Sequence, residues 1–135
     1  MLYKKLTILI FWMLSLQLAA PPTSNSLVIV GSSPVRPYEA LWEAVCQVES
    51  SGDPYAVNVG EQAYGIVQIR QIRLDDYVNR TGIFYTLEDC FDKEVSKSIF
   101  MYYATSDYET VARSWNGSGQ MTDVYWRKVK KYLCN

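Results

Sequence analysis

Val45-Cys46-Gln47-Val48-Glu49-Ser50-Ser51-Gly52 reads as the last turns of a helix followed by its stop. Tyr38, Leu41, Trp42, Val45 and Cys46 recur at helical spacing and form an apolar stripe. Glu49 lies four positions after Val45 and three after Cys46, on that same stripe. Ser51-Gly52 ends the helix, because glycine tolerates the left-handed conformation found at many helix ends. The expectation is a carboxyl group on the inward face of a helix, at its C-terminal end. Burial and the negative helix terminus both disfavour the ionised form and raise the pKa. A carboxyl that keeps its proton near neutral pH is a general acid. The plainer reading, a solvated glutamate at the rim of the stripe, remains open at this point.

Composition narrows the chemistry further. The chain has 135 residues, enough for one domain with a modest core. It contains no histidine, which removes Ser-His and Cys-His nucleophile pairs, histidine metal sites and histidine acid-base catalysis together. Carboxylates are therefore the leading acid-base groups, and no cofactor or metal is expected. The net charge is -1, with no basic run, so nucleic acid is not an expected partner. Aromatic residues make up 14% of the chain, 11 of them tyrosines, which suits either half-buried packing or a groove that stacks on sugar rings. Cys46, Cys90 and Cys134 form no C-x-x-C knuckle. Two readings stay open for them: one disulfide of undefined pairing with one thiol left over, or three small buried apolar side chains.

Taken in order, residues 1–20 read as an export signal or an N-terminal anchor, with Lys4 and Lys5 before an apolar run over residues 6–18 and Ala19-Ala20 at its end. Its removal takes away two lysines and no acids and moves the net charge from -1 to -3. Residues 21–37, punctuated by Pro21, Pro22, Gly31, Pro34 and Pro37, read as a linker. The domain proper is expected over residues 38–135, with its first helix at 38–50. The segment 61–69, β-formers around Gly65, is read as a small hairpin or extended loop that runs into a helix start. A helix over 71–80 ends at Thr81-Gly82. Another opens at Leu87, capped by Thr86, with Phe91, Val95, Ile99 and Tyr102 on its buried face. A further helix carries Tyr108, Val111, Ala112 and Trp115 on one face, capped by Ser106 or Asp107 and broken at Asn116-Gly117-Ser118-Gly119. The last, 122–133, turns Val124, Tyr125, Val129 and Tyr132 inward and Arg127, Lys128, Lys130 and Lys131 to water. The fold class is mainly α, with one small extended element.

Three segments stand out against this frame: Glu49-Ser50 at a helix end, Gly65-Ile66-Val67-Gln68 in the extended element, and Ala112-Arg113-Ser114-Trp115-Asn116-Gly117 at another helix end. In this order they resemble the goose-lysozyme-like lytic transglycosylases, the family of the soluble lytic transglycosylase catalytic domain. Its signature is Glu-Ser, then Gly-Leu-Met-Gln, then Ala-Tyr-Asn before a glycine-containing loop, with a Tyr-Val motif on the final helix. Ile66-Val67 replaces Leu-Met here, Trp115-Asn116 stands in place of Tyr-Asn, and Tyr125 with Val129 resembles the last motif. The resemblance covers residues 38–133.

The resemblance implies a lysozyme-like helical domain that acts on peptidoglycan glycan strands. It implies Glu49 as the sole catalytic acid/base, protonating the oxygen between N-acetylmuramic acid and N-acetylglucosamine. It assigns Ser50 to orienting the acid or sugar, and Gln68 to bonding substrate across a groove walled by Tyr64 and Ile66. Asn116 would contact the sugar or its acetamido group, and Tyr125 would donate its hydroxyl to Glu49. Glu61 is a candidate second carboxylate; with it, a hydrolytic muramidase is the alternative outcome. Asp75 and Asp76 are weaker candidates, placed on a helix surface. The rival outside catalysis is a glycan-binding or assembly module of the same fold. The expected setting is the periplasm or cell envelope, the expected form a monomer, and secretion or conjugation machinery is a candidate partner.

Overall fold

The computed structural model describes residues 37–134, all within one compact unit, Val35–Asn135. The export signal or anchor over residues 1–20 and all but the last residue of the linker over 21–37 lie outside the described residues. Five α-helices and a three-stranded sheet make up the described chain, as the mainly helical reading expects. In order they are α1 (Glu39–Ser50), β1 (Val57–Asn58), β2 (Ala63–Tyr64), β3 (Ile69–Arg70), α2 (Gln71–Thr81), α3 (Lys93–Tyr103), α4 (Tyr108–Asn116) and α5 (Met121–Leu133). A 3-10 turn, Glu88–Phe91, precedes α3. Among the described residues no helix is long and apolar enough to cross a membrane.

Helix α1 is the central element. Leu41, Trp42, Val45 and Cys46 are essentially inaccessible, so the apolar stripe is the buried face. Its C-terminal stop differs in one detail from expectation. Ser51, not glycine, first takes the left-handed position at φ 57°, and Gly52 follows at φ 83°. Their amides donate to the carbonyls of Gln47 and Cys46, both at 3.1 Å. Helix α5 packs along α1, and α4 packs on α5. The α4–α5 pair is clamped by Arg113, which bonds Glu109 at 2.6 Å and also pairs with Asp123.

The sheet is antiparallel in the order β1-β2-β3, with Val57 opposite Tyr64 and Tyr64 opposite Ile69. Its strands are only two residues long, so the main-chain ladder cannot hold it alone. Burial does so instead: Ala63, Ile66, Val67 and Ile69 all enter the core. Gly65, at φ 79°, makes this possible. A Cβ there would lie 2.1 Å from the Cys90 carbonyl oxygen, so only glycine lets the loop reach the 3-10 turn.

Four expectations need correction. The helix predicted from Leu87 is split: Thr86 and Asp89 bond one another to form the 3-10 turn, and α3 starts anew at Lys93. Asp92 caps it, accepting from the Glu94 and Val95 amides. Tyr102 is 40% exposed, because Ser96 and Phe100 take the inward positions of the re-phased helix. Tyr132 is likewise exposed in the last turn of α5. The cysteines are all free: Cys46 and Cys90 are buried and Cys134 is exposed, so neither the disulfide nor the uniformly buried reading holds. Burial, with the Glu43 charge beside Cys46 and the Asp89 charge beside Cys90, pushes both buried thiols up to about 12, which leaves them inert. The cap of α4 is Asp107, which accepts from the Thr110 amide at 3.0 Å.

Candidate active site

A cleft of about 440 Å³ opens where α1, the sheet, the start of α2 and the end of α4 meet. That volume lies within the usual range of small-molecule sites, about 300–1,000 Å³. Glu49 contributes from α1, Glu61 and Gln68 from the connections between strands, Ile69 and Arg70 from β3, Ile72, Arg73 and Asp76 from α2, and Trp115 and Asn116 from α4. The three segments singled out in the sequence therefore converge on one space.

Glu49 is partly buried at the end of α1, on the face turned to α5. Tyr125 from α5 donates its hydroxyl to Glu49 Oε1 at 2.7 Å. Oε1 is thus held as an acceptor, which leaves Oε2 to carry the proton of the neutral acid. The carboxyl pKa rises from the ordinary 4.5 to about 7. Burial is the main cause; the Tyr125 hydrogen bond opposes it, the Glu61 charge adds to it, and Arg70 and Lys128 pull the other way. Burial and the neighbouring Glu49 carboxyl also raise the pKa of Tyr125, so the phenol stays protonated. The pair is a neutral acid fixed in one rotamer by a neutral donor.

The wall facing Glu49 is built from backbone that is held in place. Gln68 adopts φ 52°, a left-handed conformation that a non-glycine residue holds only where its surroundings impose it. Its Nε2 donates to the Gly65 carbonyl at 2.9 Å and the Ala56 carbonyl at 3.2 Å. The amide nitrogen is thus taken up in tying the loop together, and the side-chain carbonyl is the part of the amide that this tie leaves free. Ser50 Oγ donates to the Ile66 carbonyl at 2.8 Å and the Cys46 carbonyl at 3.3 Å, and so joins the end of α1 to the same loop. Ser50 and Tyr64 do not line the cleft. Tyr64 packs on Phe91, with ring centroids 5.8 Å apart, and Ile66 is in the core.

Asn116, the last residue of α4, is exposed at the cleft mouth. Two side chains fix the backbone that carries it. Trp115 donates its indole N–H to the Val67 carbonyl at 3.1 Å. Arg73 from α2 donates through Nη2 to the Ser114 and Trp115 carbonyls, both at 3.2 Å. Its guanidinium lies 4.7 Å from the Tyr103 ring centre and 4.6 Å from that of Trp115, and burial lowers its pKa. Asp76 accepts from Arg80 and from the Tyr103 hydroxyl, both at 2.8 Å, and these bonds hold its carboxyl below the usual range. It is committed to that network. Asp75 accepts from Gln71 on the outer face of α2.

Sequence reasoning passed over Arg70, Ile72 and Arg73. Their contribution depends on where α2 sits relative to α3 and α4, which no local pattern reports. The one available signal is weak: Arg73 interrupts the apolar spacing between Ile69, Leu74 and Tyr77. Among the described residues no group of His, Cys, Asp or Glu side chains is placed to hold a metal ion.

A family model described as the transglycosylase SLT domain matches residues 35–117, a span that includes Glu49, Gly65, Gln68 and Asn116. No curated protein and no solved structure was found to match the chain.

Proposed function

The chain belongs to the transglycosylase SLT domain family, and from that footing we propose that it cleaves the β-1,4 bond between N-acetylmuramic acid and N-acetylglucosamine in peptidoglycan as a lytic transglycosylase. The observation that carries the reading is Glu49 itself: a carboxyl raised to about 7, fixed by Tyr125, at the edge of a sugar-sized cleft. Glu49 gives its proton to the glycosidic oxygen as the C1–O bond breaks and the sugar develops oxocarbenium character. The C6 hydroxyl of the muramic residue then attacks C1. Glu49, now a carboxylate, takes the hydroxyl proton, and the product is a 1,6-anhydro sugar. One acid/base serves both steps, and no water is consumed. Gln68 and Asn116, with Glu61 and Arg70, are polar groups of the cleft available to hold the sugar.

A second reading has one specific observation behind it. Glu61 lines the same cleft, and its charge adds to the raised pKa of Glu49. A carboxylate able to activate water there would give hydrolysis and a reducing end. Residues 1–20 fit export, so the proposed site of action is the cell wall.

Mass spectrometry of purified peptidoglycan digested by the protein and by Glu49→Gln tests both readings. Anhydro-muropeptides made only by the parent support the lytic reaction. Reducing-end products lost on Glu61→Gln move the assignment to the hydrolase. Glycan binding with no cleavage by the parent makes the protein a binding module.

A further inference from the structure

The charges lining the cleft are not equally free. Arg73 is held by two carbonyls and two rings, and Asp76 by Arg80 and Tyr103. Glu49 is neutral over much of the pH range below 7. Glu61 and Arg70 are different: both exposed side chains line the cleft and neither makes an ion pair or side-chain hydrogen bond among the described residues, and of the two only Arg70 is a cation. Its backbone is fixed, since it pairs with Ala63 in the sheet and opens α2. Two positions on, Ile72 lines the same cleft with 75% of its surface exposed, which leaves an apolar contact face open to whatever enters. A guanidinium and an exposed aliphatic group in one cleft are matched to a carboxylate and a methyl carried on the same substituent.

Resting on the muropeptide reading of the cleft, we propose that Arg70 and Ile72 form a subsite for the anionic substituent on C3 of the muramic sugar. Arg70 takes its carboxylate and Ile72 covers the adjacent methyl. That substituent distinguishes muramic acid from N-acetylglucosamine, so the subsite sets which sugar lies on the acid's side of the bond. The carboxylate has two sources: the lactyl group of a strand without peptides, or the stem peptide attached to it.

Binding, not turnover, is the test, because Arg70 also acts on the Glu49 carboxyl through its charge. Labelled glycan strands are titrated at low salt with Glu49→Gln, and with the same variant carrying Arg70→Gln or Arg70→Lys. The strands are used peptide-bearing, amidase-stripped, and with their carboxylates converted to methylamides. Arg70→Gln is expected to weaken binding about five- to tenfold for a carboxylate-bearing strand, the size of one exposed charge-assisted hydrogen bond. It leaves the methylamide strands unaffected, and Arg70→Lys restores part of the loss. Loss on stripped strands identifies the lactyl carboxylate; loss on peptide-bearing strands alone identifies the stem. No loss on either form, or an equal loss on methylamide strands, overturns the subsite. Binding that depends on Arg70 in a protein whose parent cuts no strand keeps the subsite and overturns only the enzymatic reading. Failure of Glu49→Gln to bind any strand, together with no cleavage by the parent, overturns both.

Discussion

At the scale of single residues, the proposed chemistry rests on the Glu49–Tyr125 pair. The acid must hold its proton when substrate arrives, so kcat/KM is expected to fall about tenfold per pH unit once the pH passes about 7. The Tyr125 hydroxyl favours the carboxylate, and it also fixes the rotamer. Tyr125→Phe therefore has two separable effects: the alkaline limb of the pH-rate profile moves upward, and kcat falls about tenfold. A purely structural role for Tyr125 would lower stability and leave the limb in place. Glu49 was legible in the sequence because helical spacing puts it on the stripe of Val45 and Cys46. Its partner was reached only through a resemblance, since the two lie 76 positions apart. Arg73 left only the weak signal of a break in apolar spacing: its value comes from two rings and two carbonyls on other helices.

Among the elements, the sheet has the least structure of its own and the most positional consequence. Two-residue strands hold their place because Gly65 lets the loop touch the Cys90 carbonyl, and because Gln68 and Ser50 bond the loop's carbonyls. Gly65→Ala meets both a positive φ and a 2.1 Å contact with backbone. It is expected to cost about 3 kcal/mol or more and to lower the melting temperature by about 10 °C or more. An unchanged melting curve would mean that the loop is not pinned in this way. The extended element and its run into α2 were legible from β-formers around a glycine. The split before α3 was not. Thr86-Leu87-Glu88-Asp89 satisfies the rules for a helix start, and Asp92 satisfies them again. The two caps compete, and local pattern does not report that the Thr86–Asp89 bonds close one turn before Asp92 starts the helix anew.

For the molecule as a whole, the helical class and the convergence of three segments on one cleft were legible, because apolar periodicity fixes which faces turn inward. The cysteines were not, because pairing is a matter of distance that spacing along the chain does not report. The raised Glu49 pKa carries a cost in stability. Between about pH 4.5 and 7 the folded state holds a proton on Glu49 that the unfolded chain has released, so folding stability falls as the pH rises through that window. Glu49→Gln removes this term. It is expected to match the parent in chemical denaturation near pH 4 and to exceed it by about 2 kcal/mol at pH 8, allowing for the part of the side chain that still meets water. The most direct measurement is a carbon-13 NMR titration of the side-chain carboxyls, with the Glu49 resonance identified by its loss in Glu49→Gln. A midpoint near 7 for that signal is the predicted result; a midpoint near 4.5, like that of a glutamate in open water, would contradict the account.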